Sequence, residues 1–94
     1  TRARQIRDLC VSLGLPMNVE DSWGGEIATA AIAHLAHSTP AEFQFQSSAF
    51  HDYSTVSIAV GAPSVKDGYM SVADTAGLGV TPILESLTNV FEFS

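Results

Sequence analysis

Apolar residues in the first twenty positions follow the spacing of a helix and then of a strand. Four of them recur at i, i+3, i+4 and i+7 and predict a one-faced helix over residues 2–13. These four are Ile6, Leu9, Cys10 and Leu13. Gly14 suits the position after a helix, and Pro16 prevents its continuation. The short apolar run that follows predicts a buried strand ending near Glu20.

A second helix and a second strand are predicted further along. Residues 26–37 are rich in alanine, which has the highest helix propensity, and carry an apolar stripe at Ile27, Ala31 and Leu35. Pro40 ends this helix. Phenylalanine then alternates with glutamine over residues 43–46, which indicates a strand. The order α-β-α-β with short connections favours parallel strands joined by helical crossovers.

The second half of the chain has weaker patterns. Residues 49–63 fit a short helix or extended chain equally well. Asp67-Gly68 lies between two alternating runs and predicts a tight type I′ hairpin, followed by a glycine-containing loop over residues 73–80. Thr81 as N-cap and Pro82 at the first helical position predict a short helix over residues 81–87. The tail, residues 89–94, is expected to be extended.

Composition and charge narrow the classes of protein. The 94 residues are 46% hydrophobic, which suits one small packed unit. Ten acidic residues against four basic ones give a formal charge of −6 and no basic stripe, so nucleic acid is not expected as a partner. The longest apolar stretch is too short to span a membrane. Cys10 is the single cysteine, which excludes an internal disulfide and fits a cytoplasmic protein.

Two parallel strands and two helices cannot close a sheet on their own. A complete (β/α)₈ barrel needs about 250 residues, so the chain holds at most the last quarter of one. The chain also opens inside a predicted helix, and we therefore expect residues before Thr1. Strand carboxyl ends form the catalytic face of a barrel, which places residues 20–23 and 46–51 on that face.

Two segments resemble one family. Residues 14–40, GLPMNVEDSWGGEIATAAIAHLAHSTP, are similar to the seventh strand and helix of the mandelate racemase and muconate lactonizing branch of the enolase superfamily. Residues 65–80, VKDGYMSVADTAGLGV, are similar to the end of that branch, with Ala76 in place of the usual proline. Within this branch, residues 20–25, EDSWGG, are most similar to the corresponding segment of hydroxyproline or proline-betaine epimerases and cis-3-hydroxyproline dehydratases.

The resemblance implies an enzyme in which Mg²⁺ stabilises an enolate formed by removing a proton α to a carboxylate. It implies that the metal ligands and the lysine bases precede Thr1, so this chain would hold no catalytic residue and no metal ligand. The implied partners are a small carboxylate substrate of amino-acid catabolism, such as a hydroxyproline, and the N-terminal part of the barrel with its capping domain. A homo-oligomer is compatible with the resemblance. Residues 1–59 would form the last βα units, and residues 60–94 the hairpin, loop and short helix.

Five residues are candidates for substrate binding. They are Asp21, Trp23, Glu20, Ser48 and His51. Asp21 would ion-pair a substrate ammonium, or else act as an N-cap-like carboxylate near the start of the second helix. Trp23 would stack on a cationic substrate, or else pack between helices. Glu20 alternates with Asp21, so one of the two would face the barrel mouth and the other its surroundings. Ser48 would hydrogen-bond a ligand or else cap the loop, and His51, after the second strand, could approach the substrate.

Two other classes of protein remain open from the residues alone. One is a stand-alone acidic α/β interaction module without activity. The other is a phosphate-binding barrel enzyme that uses Gly24-Gly25, although the three neighbouring carboxylates would repel an anion. The helical pair His34 and His37 lacks a converging third ligand, so both are expected to be solvated or packed.

Overall fold

The computed structural model describes residues 1–88, which form two α-helices and six short strands. The helices are α1 (Arg2–Ser12) and α2 (Glu26–His37). The strands are β1 (Met17–Val19), β2 (Gln44–Ser47), β3 (Ala59–Val60), β4 (Val65–Lys66), β5 (Tyr69–Met70) and β6 (Thr81–Pro82). Short 3₁₀ turns cover Ala41–Phe43, Phe50–Tyr53 and Leu84–Ser86. The predicted order α-β-α-β is confirmed for the first half.

Strands β1 and β2 pair in parallel, as the short connections and the intervening helix predicted. Asn18 pairs with Gln46 and Val19 with Ser47, after an irregularity in register that begins at Met17. Phe45 lies at this irregularity and is 77% exposed. The parallel pairing brings the carboxyl ends of β1 and β2 side by side, and this edge carries the polar residues described below.

Small side chains form the contact between α2 and the sheet. The buried apolar residues of the helix are Ala30, Ala33 and Ala36, with Ala30 fully inaccessible. The predicted stripe of Ile27, Ala31 and Leu35 is wrong as the buried face, because Ala31 is exposed and the other two are half-buried. Alanines let the helix approach the strands closely, so burial follows the close approach rather than side-chain size.

Helix α1 matches its prediction in position but leaves its apolar face open. Ile6, Leu9 and Leu13 are each about 60% exposed among the described residues. Cys10, on the same face of the helix, is half-buried. Arg7 links α1 to the end of α2, because its Nη1 donates to Ser38 Oγ at 2.5 Å.

The segment that fitted helix or extended chain equally well contains both. A 3₁₀ turn over Phe50–Tyr53 leads into extended chain and β3. The hairpin is confirmed, because β4 and β5 pair across Asp67 and Gly68, whose φ angles are 51° and 80°. Positive φ at both central residues defines the type I′ turn.

The predicted helix over residues 81–87 is wrong. Thr81 and Pro82 form β6, which pairs antiparallel with β3, and only Leu84–Ser86 turns in 3₁₀ geometry. The Ile83 N–H continues the pairing by donating to Ile58 O at 2.8 Å. Proline lacks an N–H and is accepted in a two-residue edge strand, so a distant partner overrides the local helix signal.

The tail, residues 89–94, lies outside the described residues. Within residues 1–88, neither helix has the length and apolarity needed to cross a bilayer.

Candidate functional site

Polar side chains meet where β1 and β2 end. Glu20 and Asp21 follow β1, and Ser48 follows β2. Gln46 Nε2 donates to Glu20 Oε1 at 3.0 Å across the two strands. Next to this contact lies a cleft of about 500 Å³. Glu20, Gln46, Ser47, Ser48, Phe50 and Tyr53 contribute to its walls. The structure therefore brings predicted site residues from both strands to one opening.

Asp21 is held by Ser48 through two hydrogen bonds. The Asp21 N–H donates to Ser48 Oγ at 3.1 Å, and Ser48 Oγ donates to Asp21 Oδ1 at 2.9 Å. The other carboxylate oxygen, Oδ2, is buried and has no hydrogen-bond partner in the part of the chain that the structure describes. An unpaired buried acceptor is costly in a folded protein and needs an explanation.

Gly24 allows Asp21 this position. A Cβ on Gly24 would lie 2.5 Å from Asp21 Oδ2 and 2.5 Å from Ala28 Cβ, so no larger residue fits without displacement. The N-cap residue of α2 is Gly25, and no side chain caps this helix by a hydrogen bond. Asp21 therefore does not cap α2, which was the alternative to a role in substrate binding.

Three aromatic rings form a row beside the cleft. Trp23 stacks on Phe50 with ring centroids 5.9 Å apart and an interplanar angle of 27°. Phe50 in turn lies 6.0 Å from Tyr53. Trp23 is 79% exposed, so it is not packed between helices among the described residues. Phe50 was not among the five candidate residues, although an aromatic residue just after a strand end was an available signal.

His51 is occupied by contacts within the chain. Its side chain is 8% exposed, and Nε2 lies 2.8 Å from Pro63 O and 3.3 Å from Asp52 Oδ1. Both neighbours accept hydrogen bonds, so Nε2 carries the proton. The other ring nitrogen, Nδ1, is buried without a partner in the described range. The ring closes a loop and does not line the cleft.

Glu26 is a buried carboxylate that sequence reasoning did not select. It is 8% exposed at the start of α2, and its Oε1 and Oε2 both accept from the Ile58 N–H at 3.3 Å. Burial alone raises the pKa of Glu26, but hydrogen bonds from Ser57, from its own backbone and from Ile58, together with nearby His51, lower it overall. Glu26 is therefore charged at neutral pH. A first-turn acid looks ordinary in sequence, and only the distant loop reveals its contact.

The charge around the cleft is negative. Glu20 and Asp52 line it and Asp21 lies beside it, bonded to Ser48, whereas no lysine or arginine of residues 1–88 is among its lining residues. This arrangement favours a ligand with a positive group and disfavours a phosphate at Gly24-Gly25.

Of the two helical histidines, His34 Nε2 lies 3.1 Å from Leu78 O, and His37 is exposed.

The described residues do not form a metal site on their own. No group of three or more His, Cys, Asp or Glu side chains within residues 1–88 could hold a metal ion.

Comparison with known proteins gives a consistent family. Residues 1–86 match the family model described as enolase C-terminal domain-like. The chain is 55% identical over 87 residues to cis-3-hydroxy-L-proline dehydratase of Roseibium aggregatum, covering 93% of this chain and 24% of that protein. The chain thus spans about a quarter of the length of this curated relative.

Solved structures of the same branch resemble the chain in both sequence and backbone fold. A mandelate racemase/muconate lactonizing enzyme from Roseovarius nubinhibens superimposes with a TM-score of 0.84 at 47% identity, covering 90% of this chain and 23% of that one. An enolase-superfamily member of the same organism, complexed with magnesium, gives a TM-score of 0.86 at 38% identity, covering 94% and 24%. The predicted fold class, an α/β segment from the end of such a domain, is confirmed. The chain belongs to the enolase C-terminal domain-like family, in its mandelate racemase/muconate lactonizing branch.

Proposed function

We propose that the chain is the C-terminal barrel segment of a Mg²⁺-dependent enzyme that removes a proton α to the carboxylate of a small amino acid. A hydroxyproline is the proposed substrate, and dehydration is the proposed outcome, with epimerisation as the alternative. The observation that carries the proposal is the acidic edge at the joined carboxyl ends of β1 and β2, where Glu20 lines the cleft and Ser48 holds the Asp21 carboxylate. The 55% identity to a cis-3-hydroxy-L-proline dehydratase supports the choice of substrate.

The side chains of this segment bind and orient the substrate. Asp21, fixed by Ser48, attracts the substrate ammonium by its negative charge, and Glu20 on the wall of the cleft adds charge beside it. The exposed ring of Trp23 offers a π face to the same cation. His51 supports the loop behind these residues. Asp21 thereby holds the α-carbon in one orientation while the base acts.

The rest of the machinery lies outside this chain in the proposal. Mg²⁺ supplies charge stabilisation to the enolate, with ligands from residues before Thr1. The lysine bases and the capping domain also come from that upstream part. We place the enzyme in the cytoplasm, in line with the single cysteine of this segment.

The Asp21→Asn variant of the full-length enzyme tests the site. Loss of the charge weakens binding of the substrate ammonium, so KM for cis-3-hydroxy-L-proline rises by about 10- to 100-fold while kcat changes less. Steady-state kinetics with saturating Mg²⁺ measure both constants. The matched control is Asp74→Asn, an exposed acid in the 73–80 loop, for which KM stays at the wild-type value.

An unchanged KM in Asp21→Asn would remove Asp21 from the substrate site. The interaction-module alternative is tested separately by the coding sequence before Thr1. Lysines and three spaced carboxylates there support the enzyme, whereas an initiator codon directly before Thr1 supports the module. For the phosphate-binding alternative, inorganic phosphate titrated against the enzyme gives no saturable binding if our proposal holds.

A further inference from the structure

A compact loop over residues 51–63 borders the proposed site. His51 and Pro63 lie at its two ends and are joined through Nε2 and the carbonyl oxygen at 2.8 Å, which closes the neck of the loop. Inside it, Ser54 Oγ donates to Val56 O at 2.9 Å. Loops of this kind, with adjoining ends and internal bonds, move as units. The contacts of the 51–63 loop with α2 and with β6 therefore determine where it lies.

The Glu26 carboxylate supplies hydrogen bonds that join the 51–63 loop to α2. Both carboxylate oxygens accept from the Ile58 N–H at 3.3 Å, at the middle of the loop. On the other side, Ile58 O accepts from the Ile83 N–H at 2.8 Å. Ile58 is thus held from both sides, by a charged acceptor on α2 and by the β3–β6 pairing. A hydrogen bond to a buried charged group is stronger than one between neutral groups.

The position of this loop determines part of the cleft. Tyr53 belongs to the loop and Phe50 immediately precedes its neck; both line the cleft. Phe50 also stacks on Trp23, which the β1–α2 connection carries. A displacement of the loop relative to α2 would separate Phe50 from Trp23, because Glu26 and Trp23 belong to one side and Phe50 to the other.

We propose that Glu26 is a positioning residue of the substrate site: its buried carboxylate holds the 51–63 loop against α2 and so fixes Phe50 and Tyr53 as the aromatic wall of the cleft. The part that concerns substrate rests on the proposed function. The part that concerns the loop is independent of the proposed function, because it follows from contacts within the described residues.

Hydrogen exchange tests the loop directly in the full-length enzyme, without substrate. In Glu26→Gln, the charge is lost while the size of the side chain is kept, so amides of the 51–63 loop exchange about tenfold faster. Peptides from α1 and β1 keep their rates. The matched control is Glu42→Gln, an exposed acid in the first turn of a 3₁₀ helix, with wild-type exchange throughout. Equal exchange of the loop in Glu26→Gln and wild type would overturn the proposal.

A second readout follows the aromatic stack. The enzyme is labelled with 5-fluorotryptophan, and the signal that disappears in Trp23→Phe is assigned to Trp23. In Glu26→Gln this ¹⁹F signal moves towards the position it takes in Phe50→Leu, where the stacking partner is absent. A Trp23 signal that stays at the wild-type shift would contradict the link between Glu26 and the wall.

Kinetics separate positioning from simple stabilisation. Glu26→Gln raises KM about five- to tenfold with kcat within about twofold of wild type, whereas Glu26→Asp, which keeps the charge, recovers most of the affinity. A lowered melting temperature with KM unchanged would mean a structural role only and would overturn the proposal. If Glu26→Gln does not fold, Glu26→Asp is measured alone and shows the same changes in smaller degree. If the wild-type enzyme does not act on hydroxyprolines, the proposed function is refuted. Hydrogen exchange and ¹⁹F spectra then still test whether Glu26 holds the 51–63 loop in place.

Discussion

Glu26 stands at the first turn of α2, where opposing effects act on its charge. Burial disfavours the carboxylate and is the largest single effect on its pKa. Hydrogen bonds from Ser57 and the backbone, and nearby His51, together outweigh burial, so the pKa of Glu26 lies below its ordinary value of 4.5. The charged form of Glu26 therefore stabilises the folded state.

The pH dependence of stability follows from this direction. A carboxyl whose pKa is lowered by folding adds stability above its unfolded pKa and loses it as pH falls through the folded pKa. Wild type should therefore melt about 2–4 °C above Glu26→Gln at neutral pH, and the gap should close as pH falls below the ordinary carboxyl pKa of 4.5 and through the lowered pKa of folded Glu26. Calorimetry of both full-length proteins at stepped pH measures this. A gap that is constant over the whole range would show that the Glu26 charge does not contribute.

The sequence could predict part of the site at this scale. Two carboxylates after one strand and serines after its parallel neighbour indicated a shared edge, and Asp21 and Ser48 are in contact there. The contacts of His51 with Pro63 and of Glu26 with Ile58 join residues 12 and 32 positions apart. Such pairs depend on the path of the intervening loop, which local residue patterns do not encode.

The β4–β5 hairpin depends on its two turn residues. Asp67 and Gly68 both have positive φ, a conformation that costs most residues other than glycine about 1–2 kcal/mol. Nothing lies within 4 Å of a Cβ added to Gly68, so backbone strain alone decides the effect of a substitution there.

Gly68→Val should destabilise the hairpin by about 1–2 kcal/mol, because a β-branched residue is strained at this φ. Hydrogen exchange of the 64–71 peptide in the full-length enzyme should accelerate about tenfold in consequence. Asp67→Asn is the matched control, since asparagine accepts positive φ and should leave the exchange unchanged. Wild-type exchange in Gly68→Val would mean that another turn type is adopted.

Local patterns predicted most elements, and the failures have one cause. Helix periodicity, strand alternation and the Asp-Gly turn each gave an element at the right place. The helix expected at Thr81 is a strand because β3, more than twenty residues earlier, pairs with it. The buried face of α2 was also missed, since a close approach to the sheet selects alanines over Ile27 and Leu35. Long-range packing decided both cases.

At the scale of the whole molecule, apolar surface remains uncovered on α1. Ile6, Leu9 and Leu13 line one face of this helix and stay largely exposed. In the proposed enzyme, upstream parts of the barrel cover this face. The described residues also lack a cluster of side chains able to hold a metal.

The isolated 94 residues should therefore show no turnover. The purified chain with Mg²⁺ and cis-3-hydroxy-L-proline is expected to give a rate equal to that of buffer, because the proposed ligands and bases precede Thr1. Product formation is followed by chromatography, with the full-length enzyme as positive control. Activity of the isolated chain would place the catalytic groups within it and contradict the proposed division.

The alanine-lined contact of α2 also determines how this domain can change over time. Most protein interiors suffer when side chains are trimmed, yet Ala30, Ala33 and Ala36 have only a methyl group to lose. Enlargement would push the helix away from β1 and β2, and with it the loop that carries Asp21 and Trp23. We therefore expect enlargements to be the least tolerated changes along this face, above all at Ala30, which has no accessible surface.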